Sequence, residues 1–328
     1  MINPQEQEKG ALEAAPLSEL EAFRRSRHEQ WNTPAETIES LVLRATGSAL
    51  NTQRRIIGGE TNEVYEAVTD SGQEVIVRIS HGKRNRFEKE QWALQQCAKV
   101  GVPAPEMLLV DSLSVGGKNV YVCVETKLPG VGLDTVPVSE RTGILRELGE
   151  LLGRLHSIKT EGFGILDSEG RGKFTSVPEL VIGDHQVHFR KIINALEGRT
   201  EDISCLQEAS AILEKEAQSH VKDAPCLVHN DLCPQHVLVH NGKISGIIDF
   251  ESAQGADASV DFGRWEIRYG KDYPLNSIEE GYDQRNAHFW KMYRTFGSLR
   301  YCVEHKKETG ITAAIQAIRE SAEFLARK

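Results

Sequence analysis

The period of the apolar residues shifts along this chain, from largely alternating before Gly130 to helical beyond it, and that shift limits the folds open to it. In RIIGGETNEVYEAVTDSGQEVIVRIS they alternate, which predicts strand, Gly-rich turn, strand, DSGQ hairpin turn and strand. VPAPEMLLVD and KNVYVCVETKL add two further strands, and LPGVGL breaks the pattern. Beyond Gly130 the spacing becomes helical, so the expectation is an α+β chain in two lobes: an antiparallel sheet lobe, then a larger helical one. Residues 1–33 read as an extension, 34–129 as the sheet lobe with its hinge near 125–130, and 130–328 as the helical lobe.

Helix ends are legible in several places. In NTPAETIESLVLRATG, Thr33 is expected to cap, Pro34 fits the first turn, Ile38, Leu41, Val42 and Ala45 share a face, and Gly47 ends the helix. RFEKEQWALQQCAKVG predicts a helix with Phe87, Gln91, Leu94 and Ala98 inward and Gly101 closing it. RTGILRELGELLGRLHSI is amphipathic through Ile144, Leu148, Leu151 or Leu152, and Leu155, and helical spacing returns from about Asn286 to Lys328. Between these regions only two short strands are read, CLVHN running into DLCPQHVLVH, and KISGIIDF, joined at HNG. The extension carries a short helical pattern at Leu17, Leu20 and Phe23 and no motif.

Composition removes whole classes of function. The longest apolar runs are strand-sized, short of the roughly 20 residues that span a bilayer, so no membrane partner is expected. Lys plus Arg is 39 against 48 for Asp plus Glu, a formal charge of -9 that disfavours nucleic acid and anionic surfaces; solubility alone accounts for it, and it mildly favours cationic partners. The acidic, polar N-terminus is unlike a secretory signal and predicts a cytoplasmic chain, with the scattered cysteines 97, 123, 205, 226, 233 and 302 reduced.

Cys226, His229, Cys233 and His236 have the residue types of a zinc site. They are crowded into eleven residues, with no loop between the two ligand pairs, and a strand ending at Val228 would hold Cys226 inside a sheet. Small apolar packing residues are the competing reading of the two cysteines.

The acids point elsewhere. Asp231 follows a strand, Asp249 ends the apolar run IIDF 18 residues later, and the hairpin between them folds the two carboxylates together. Such a pair suits phosphoryl transfer, one acid accepting the proton of an attacking hydroxyl and the other holding Mg2+ against phosphates. In GGETNEVY, backbone N–H groups can approach phosphate because Gly58 and Gly59 carry no side chain. In EVIVRIS, alternation puts Ile76 and Arg78 on one face, an aliphatic cover for a base beside a fixed cation, with Glu90 placed twelve residues beyond Arg78 to pair with it.

GGETNEVYEA, VIVRIS, FEKEQWALQQCAKVGVPAPEML, VCVETKLPG, LGELLGRLHSI, LVHNDLCPQHVLV and GIIDFESAQGADASVDFGRW, in that order, resemble the aminoglycoside phosphotransferase family with its protein-kinase-like fold, from about Pro34 onward. GFGILDSEGRGKFTS is similar to a stretch of hygromycin-type members. The resemblance implies ATP or GTP as co-substrate, Mg2+, and a small-molecule hydroxyl acceptor. It implies Asp231 as catalytic base and Asp249 as principal Mg2+ ligand, with His236 at the position of the second. Gly59, Thr61 and Asn62 would lie at the phosphates, Arg78 would contact them with Glu90 as its partner, and the backbone of Glu125 and Lys127 would take the adenine edge. Val64 and Ile76 would roof the base, and Leu238 and Ile248 would floor it. Asp261 would tie down the catalytic loop and Asp257 would turn the chain before the next helix.

Three positions depart from the family pattern: Asn230 for Gly, His236 for Asn, and Arg78 for Lys. His at 236 is similar to macrolide phosphotransferases and one aminoglycoside subgroup. The expected activity is O-phosphorylation of an antibiotic hydroxyl, aminoglycoside or macrolide. A kinase of an amino alcohol or sugar, and a nucleotide-binding pseudokinase, are the alternatives.

Overall fold

The computed structural model describes residues 25–26, 28–57, 61–220, 224–275 and 283–327. Gly58, Gly59 and the pattern at Leu17, Leu20 and Phe23 lie outside them. The chain divides into two compact units, Met1–Arg84 with Asp111–Val124, and Asn85–Val110 with Glu125–Lys328.

The first unit opens on α1 (Ala35–Thr46), which buries Ile38, Leu41 and Val42 and ends at Gly47 in the left-handed region, as its sequence predicts. Thr33 does not cap it; its hydroxyl donates to Glu63 instead, 2.8 Å away, and the position before the helix is Pro34. A buried carboxylate outcompetes a helix end that water can reach. The strands β1 (Leu50–Ile56), β2 (Asn62–Thr69) and β3 (Glu74–Ser80) pair antiparallel. With β4 (Met107–Val115) and β5 (Lys118–Thr126) they form a five-stranded sheet ordered β1-β2-β3-β5-β4. Tyr65, Ala67, Val75, Val77 and Ile79 are buried on one face of it.

In the second unit α2 (Phe87–Lys99) buries Phe87, Glu90, Ala93, Leu94 and Cys97. The expected stripe is therefore displaced: Gln91 is half-buried and Ala98 exposed. The buried polar residues of this helix, Lys89 and Glu90, carry specific interactions that an apolar stripe does not anticipate. The strand β6 (Val131–Gly132) leads to α3 (Arg141–Leu155), whose leucine face is buried throughout as expected.

The short strands β7 (Phe163–Leu166), β8 (Gly172–Phe174), β9 (Cys226–Val228), β10 (Val237–His240), β11 (Lys243–Ile247) and β12 (Gln254–Ala256) then make two sheets. These are ordered β11-β10-β6 and β8-β7-β12-β9. The sequence pattern misses β6, β7, β8 and β12, since two to four residues containing glycine show no alternation. Gly130, at φ +114, is required where LPGVGL bends: a Cβ there would collide with the Val239 carbonyl of β10.

Between β8 and β9 the chain forms α4 (Val177–Leu180), a π turn over Val181–His185, α5 (Gln186–Ala195) and α6 (Thr200–Ala217). It closes with α7 (Ser259–Tyr269), α8 (Gln284–Glu304) and α9 (Glu308–Ala326). One apolar core of this unit gathers α6, α8 and α9 around Phe289, Trp290 and Phe296; the other joins α2 and α3 to β10, β11 and Trp265. No described helix is long and apolar enough to cross a membrane.

Candidate active site

The antiparallel pairing of β9 with β12 brings the loop after Val228 beside the segment that follows β11. Asp261, fully buried at the start of α7, takes the first two amides of that loop: His229 N–H donates to Oδ2 and Asn230 N–H to Oδ1, each at 2.7 Å. His156 Nε2 lies 3.1 Å from the same carboxylate. Burial alone would raise the Asp261 carboxyl; the bond and charge of His156, with the backbone amide of His229, outweigh it and hold the group below the usual carboxylate range.

His229 locks the loop to the other acid. Its Nε2–H donates to the Ile248 carbonyl at 2.9 Å, so its Nδ1 accepts the Asp231 amide at 3.2 Å. Burial keeps this imidazole below its ordinary pKa, consistent with one donor and one acceptor nitrogen. Asn230 adopts φ +63, which the glycine of the family pattern would reach without strain. Its Nδ2 donates to the Ser252 carbonyl at 3.0 Å. Asp249 is likewise in the left-handed region, at φ +66.

The result is a cluster in which ligand atoms of Asp231, His236 and Asp249 all lie within 4.8 Å of one another. His236 Nδ1–H donates to the Asp231 carbonyl at 3.0 Å, and its Nε2 faces Asp249 Oδ2 at 3.5 Å. Burial alone would lower the His236 pKa; the hydrogen bond of Cys233 and the charges of Asp249 and Asp231 outweigh it and raise the group to about 9. The imidazolium thus stands between two carboxylates, where a cation is electrostatically welcome. Those carboxylates are the oxygen donors a hard divalent ion takes, and His236 fits as a ligand only after losing its proton.

The zinc reading does not hold. Cys226 Sγ points into the sheet and donates to the Ala256 carbonyl at 3.3 Å, and burial pushes its thiol up to about 12. Neither cysteine belongs to the metal-capable group among the described residues.

The other expected site residues among those described are distributed over the two units. Asn62, Val64, Ile76 and Arg78 share a face of the first sheet, since Val64 registers with Arg78 and Glu66 with Ile76. Arg78 and Asn62 are buried there, Val64 and Ile76 half-buried, and Thr61 is exposed. In the second unit Glu90 is buried on α2, Glu125 is buried at the end of β5, and Lys127 is half-buried just beyond it. Leu238 and Ile248 are half-buried in and after the β10–β11 hairpin, where Ile248 N–H bonds the His236 carbonyl at 2.9 Å. Asp257 turns the chain into α7, its Oδ1 accepting the Ser259 amide at 2.8 Å. Glu251 pairs with Arg86 at 3.1 Å, and Trp265 is core.

Sequence reasoning missed Arg264, Arg294 and Lys89. Arg264 forms an ion pair with Asp231, and both arginines donate to the Asn230 carbonyl. Lys89, buried, donates to the Ala253 carbonyl at 2.8 Å and anchors the turn after Asp249; burial lowers its pKa to about 8. The one signal for the arginines was indirect, a non-glycine at 230 whose backbone needed holding.

An acid pair at the mouth of a hairpin, beside a tethered loop, is the arrangement expected of a phosphotransferase. The sequence profile of the phosphotransferase enzyme family matches residues 52–276, and the chain belongs to that family. It is 25% identical over 184 residues to the hygromycin-B 4-O-kinase of Escherichia coli, covering 53% of this chain and 50% of that one. It is 34% identical over 103 residues to the uncharacterized protein YcbJ of Bacillus subtilis (strain 168), covering 28% of this chain and 33% of that protein. The matches thus span half or less of these two relatives.

Among solved structures, a thermostable mutant of aminoglycoside phosphotransferase APH(4)-Ia, in ternary complex with AMP-PNP and hygromycin B, superposes with a TM-score of 0.75 at 18% identity, over 90% of this chain and 100% of that one. Macrolide 2'-phosphotransferase MphH from Brachybacterium faecium gives 0.56 at 18% identity, over 86% and 97%. These likenesses establish the protein-kinase-like α+β fold.

Proposed function

We propose that this chain transfers the γ-phosphoryl group of ATP or GTP to a hydroxyl of a small molecule, an antibiotic of the aminoglycoside or macrolide type, in the cytoplasm. The observation that carries the reading is the convergence of Asp231 and Asp249 on one point from opposite ends of a hairpin. The named substrates of the family relatives, hygromycin B and macrolides, support the acceptor class.

In this reading Asp231 accepts the hydroxyl proton through the carboxylate oxygen that Arg264 leaves available, and holds the nucleophile in line with the phosphorus. Asp249 would hold Mg2+, with His236 as a second ligand once deprotonated; when bound, the ion would neutralise charge on the phosphates. By the family pattern, Arg78, Gly59, Thr61 and Asn62 would meet the phosphates, and Glu90 would be a further residue of the nucleotide site. By the same pattern, Val64 and Ile76 of the first unit and Leu238 and Ile248 of the second would each contact the base, with the backbone of Glu125 and Lys127 at its edge. His229, Asp261 and His156 move no proton; they fix the loop.

The test is an acceptor panel, antibiotics with amino alcohols and sugars, run with ATP and with GTP. Asp231→Ala should cut turnover by about 100-fold or more, within the range for removing a general base, and leave nucleotide affinity nearly unchanged. Nucleotide binding without turnover on any acceptor would make the protein a pseudokinase; an active Asp231→Ala would remove the base assignment.

A further inference from the structure

The residue that separates the buried histidine from the reactive acid is held by more than its own backbone preference. Asn230 sits at φ +63, and the carbonyl that follows from this geometry receives a donor from each of two helices: Arg264 Nη1 of α7, at 3.0 Å, and Arg294 Nη1 of α8. A second nitrogen of Arg264, Nη2, reaches Asp231 Oδ1. One rigid planar guanidinium therefore spans the carbonyl of residue 230 and the carboxylate of residue 231. Placing two like charges on one carbonyl is costly, and burial together with Arg264 lowers Arg294 to about 9. The charges of Asp231 and Asp261 offset that cost. Asp231 itself is 37% exposed in its side chain, so without a fixed partner its two torsions would be set by solvent.

We propose that Arg264 is a positioning residue for phosphoryl transfer: its fork sets the rotation of the Asp231 carboxylate against the 230–231 peptide, leaving Oδ2 aimed at the acceptor hydroxyl, while Arg294 braces the same carbonyl from behind. The proposal rests on the phosphotransfer reading of the site. It accounts for how a chain with Asn at 230 keeps the acid in place: the arginines hold the peptide in a turn that glycine would otherwise supply unaided.

Arg264→Ala and Arg264→Lys are assayed with MgATP, using hygromycin B as acceptor and phosphate release to water as the acceptor-free reaction. Misplacing the acid by about an ångström predicts a fall in kcat of ~10- to 100-fold in Arg264→Ala with the nucleotide KM within about twofold. Guanidinium ion added to that variant should restore part of the rate, and Lys, a point charge without a fork, should restore less than Arg supplies. Unchanged kcat in Arg264→Ala overturns the proposal. So does a parallel loss of kcat, nucleotide KM and Tm that neither guanidinium nor Lys relieves, because that is the signature of a brace alone.

If the wild type turns over neither water, hygromycin B nor any other acceptor of the panel, the phosphotransfer reading has failed. Side-chain nitrogen NMR of Arg264 then decides the clamp separately. Resolved Nη signals that merge in Asp231→Asn support it, and signals already averaged in the wild type overturn it.

Discussion

Two buried acids, one in each unit, solve the same problem for different ends. Asp261 accepts two consecutive backbone amides of the loop that carries the reactive carboxylate, and one imidazole from the end of α3. Glu63 is equally buried, yet what it gathers is mostly side chains of its own unit: the amide and hydroxyl of Thr33, the Tyr65 hydroxyl at 2.5 Å, His81 Nε2 at 3.1 Å, and Arg55 at 3.5 Å. Trp31 stacks on that His81, so Glu63 binds the chain ahead of α1 to the sheet. An acid that holds backbone beside a site dictates where a reactive atom stands. An acid that holds side chains from distant segments dictates whether the unit stays assembled.

The contrast can be broken by substitution. Asp261→Asn replaces a carboxylate that accepts three bonds with an amide that must turn a donor toward one of them. The expected result is loss of turnover by well over tenfold, and destabilisation of about 3 kcal/mol, as for leaving buried donors unmet; kinetics and urea unfolding measure the two. Glu63→Gln should cost about 1–3 kcal/mol while turnover per folded molecule stays within about twofold. A large kinetic defect there would erase the distinction between the two acids.

The pH dependence sharpens it. Burial alone would raise the Glu63 carboxyl, but the bonds from His81, Tyr65 and Thr33 outweigh it and depress the group from 4.5 to about 2. A depressed carboxylate adds stability above its unfolded pKa and loses it as pH falls. The gap between wild type and Glu63→Gln should therefore be full above pH 4.5 and close between there and about 2, followed by acid unfolding of the two proteins. Thr33→Val, which removes one hydroxyl donor and keeps the volume, should cost the least, about 0.5–1.5 kcal/mol by thermal unfolding.

Residues that act close to their own place in the chain were legible in the sequence. Asp231 and Asp249 are joined by a hairpin whose turn and alternation can both be read, so their convergence follows from local rules. Asp261 was identified through its motif and performs that role. Arg264 and Arg294 were not legible because they lie 33 and 63 residues from Asp231, on helices whose periodicity reports burial and not which polar residue turns inward. Thr33 was misread for a related reason: a local rule saw a helix start, and a carboxylate thirty residues away claimed the hydroxyl. Gln91 and Ala98 were misplaced because α2 turns Lys89 and Glu90 inward. Glu63 went unremarked although it falls on the apolar side of an alternating strand, where a charged residue always needs an explanation.

The left-handed backbone at Asn230 and Asp249 sets these two positions apart in any survey of tolerated substitutions. Glycine relieves the backbone at both, so for folding alone it should outrank every other replacement. At 230 that ranking and the ranking for activity should run together, since glycine keeps the turn and gives up only the side-chain bond to the Ser252 carbonyl. At 249 they should run in opposite directions: glycine would give the best-folded variant and an inert one. A library selected first for solubility and then for turnover would reveal position 249 by that reversal, without any ligand having been named in advance.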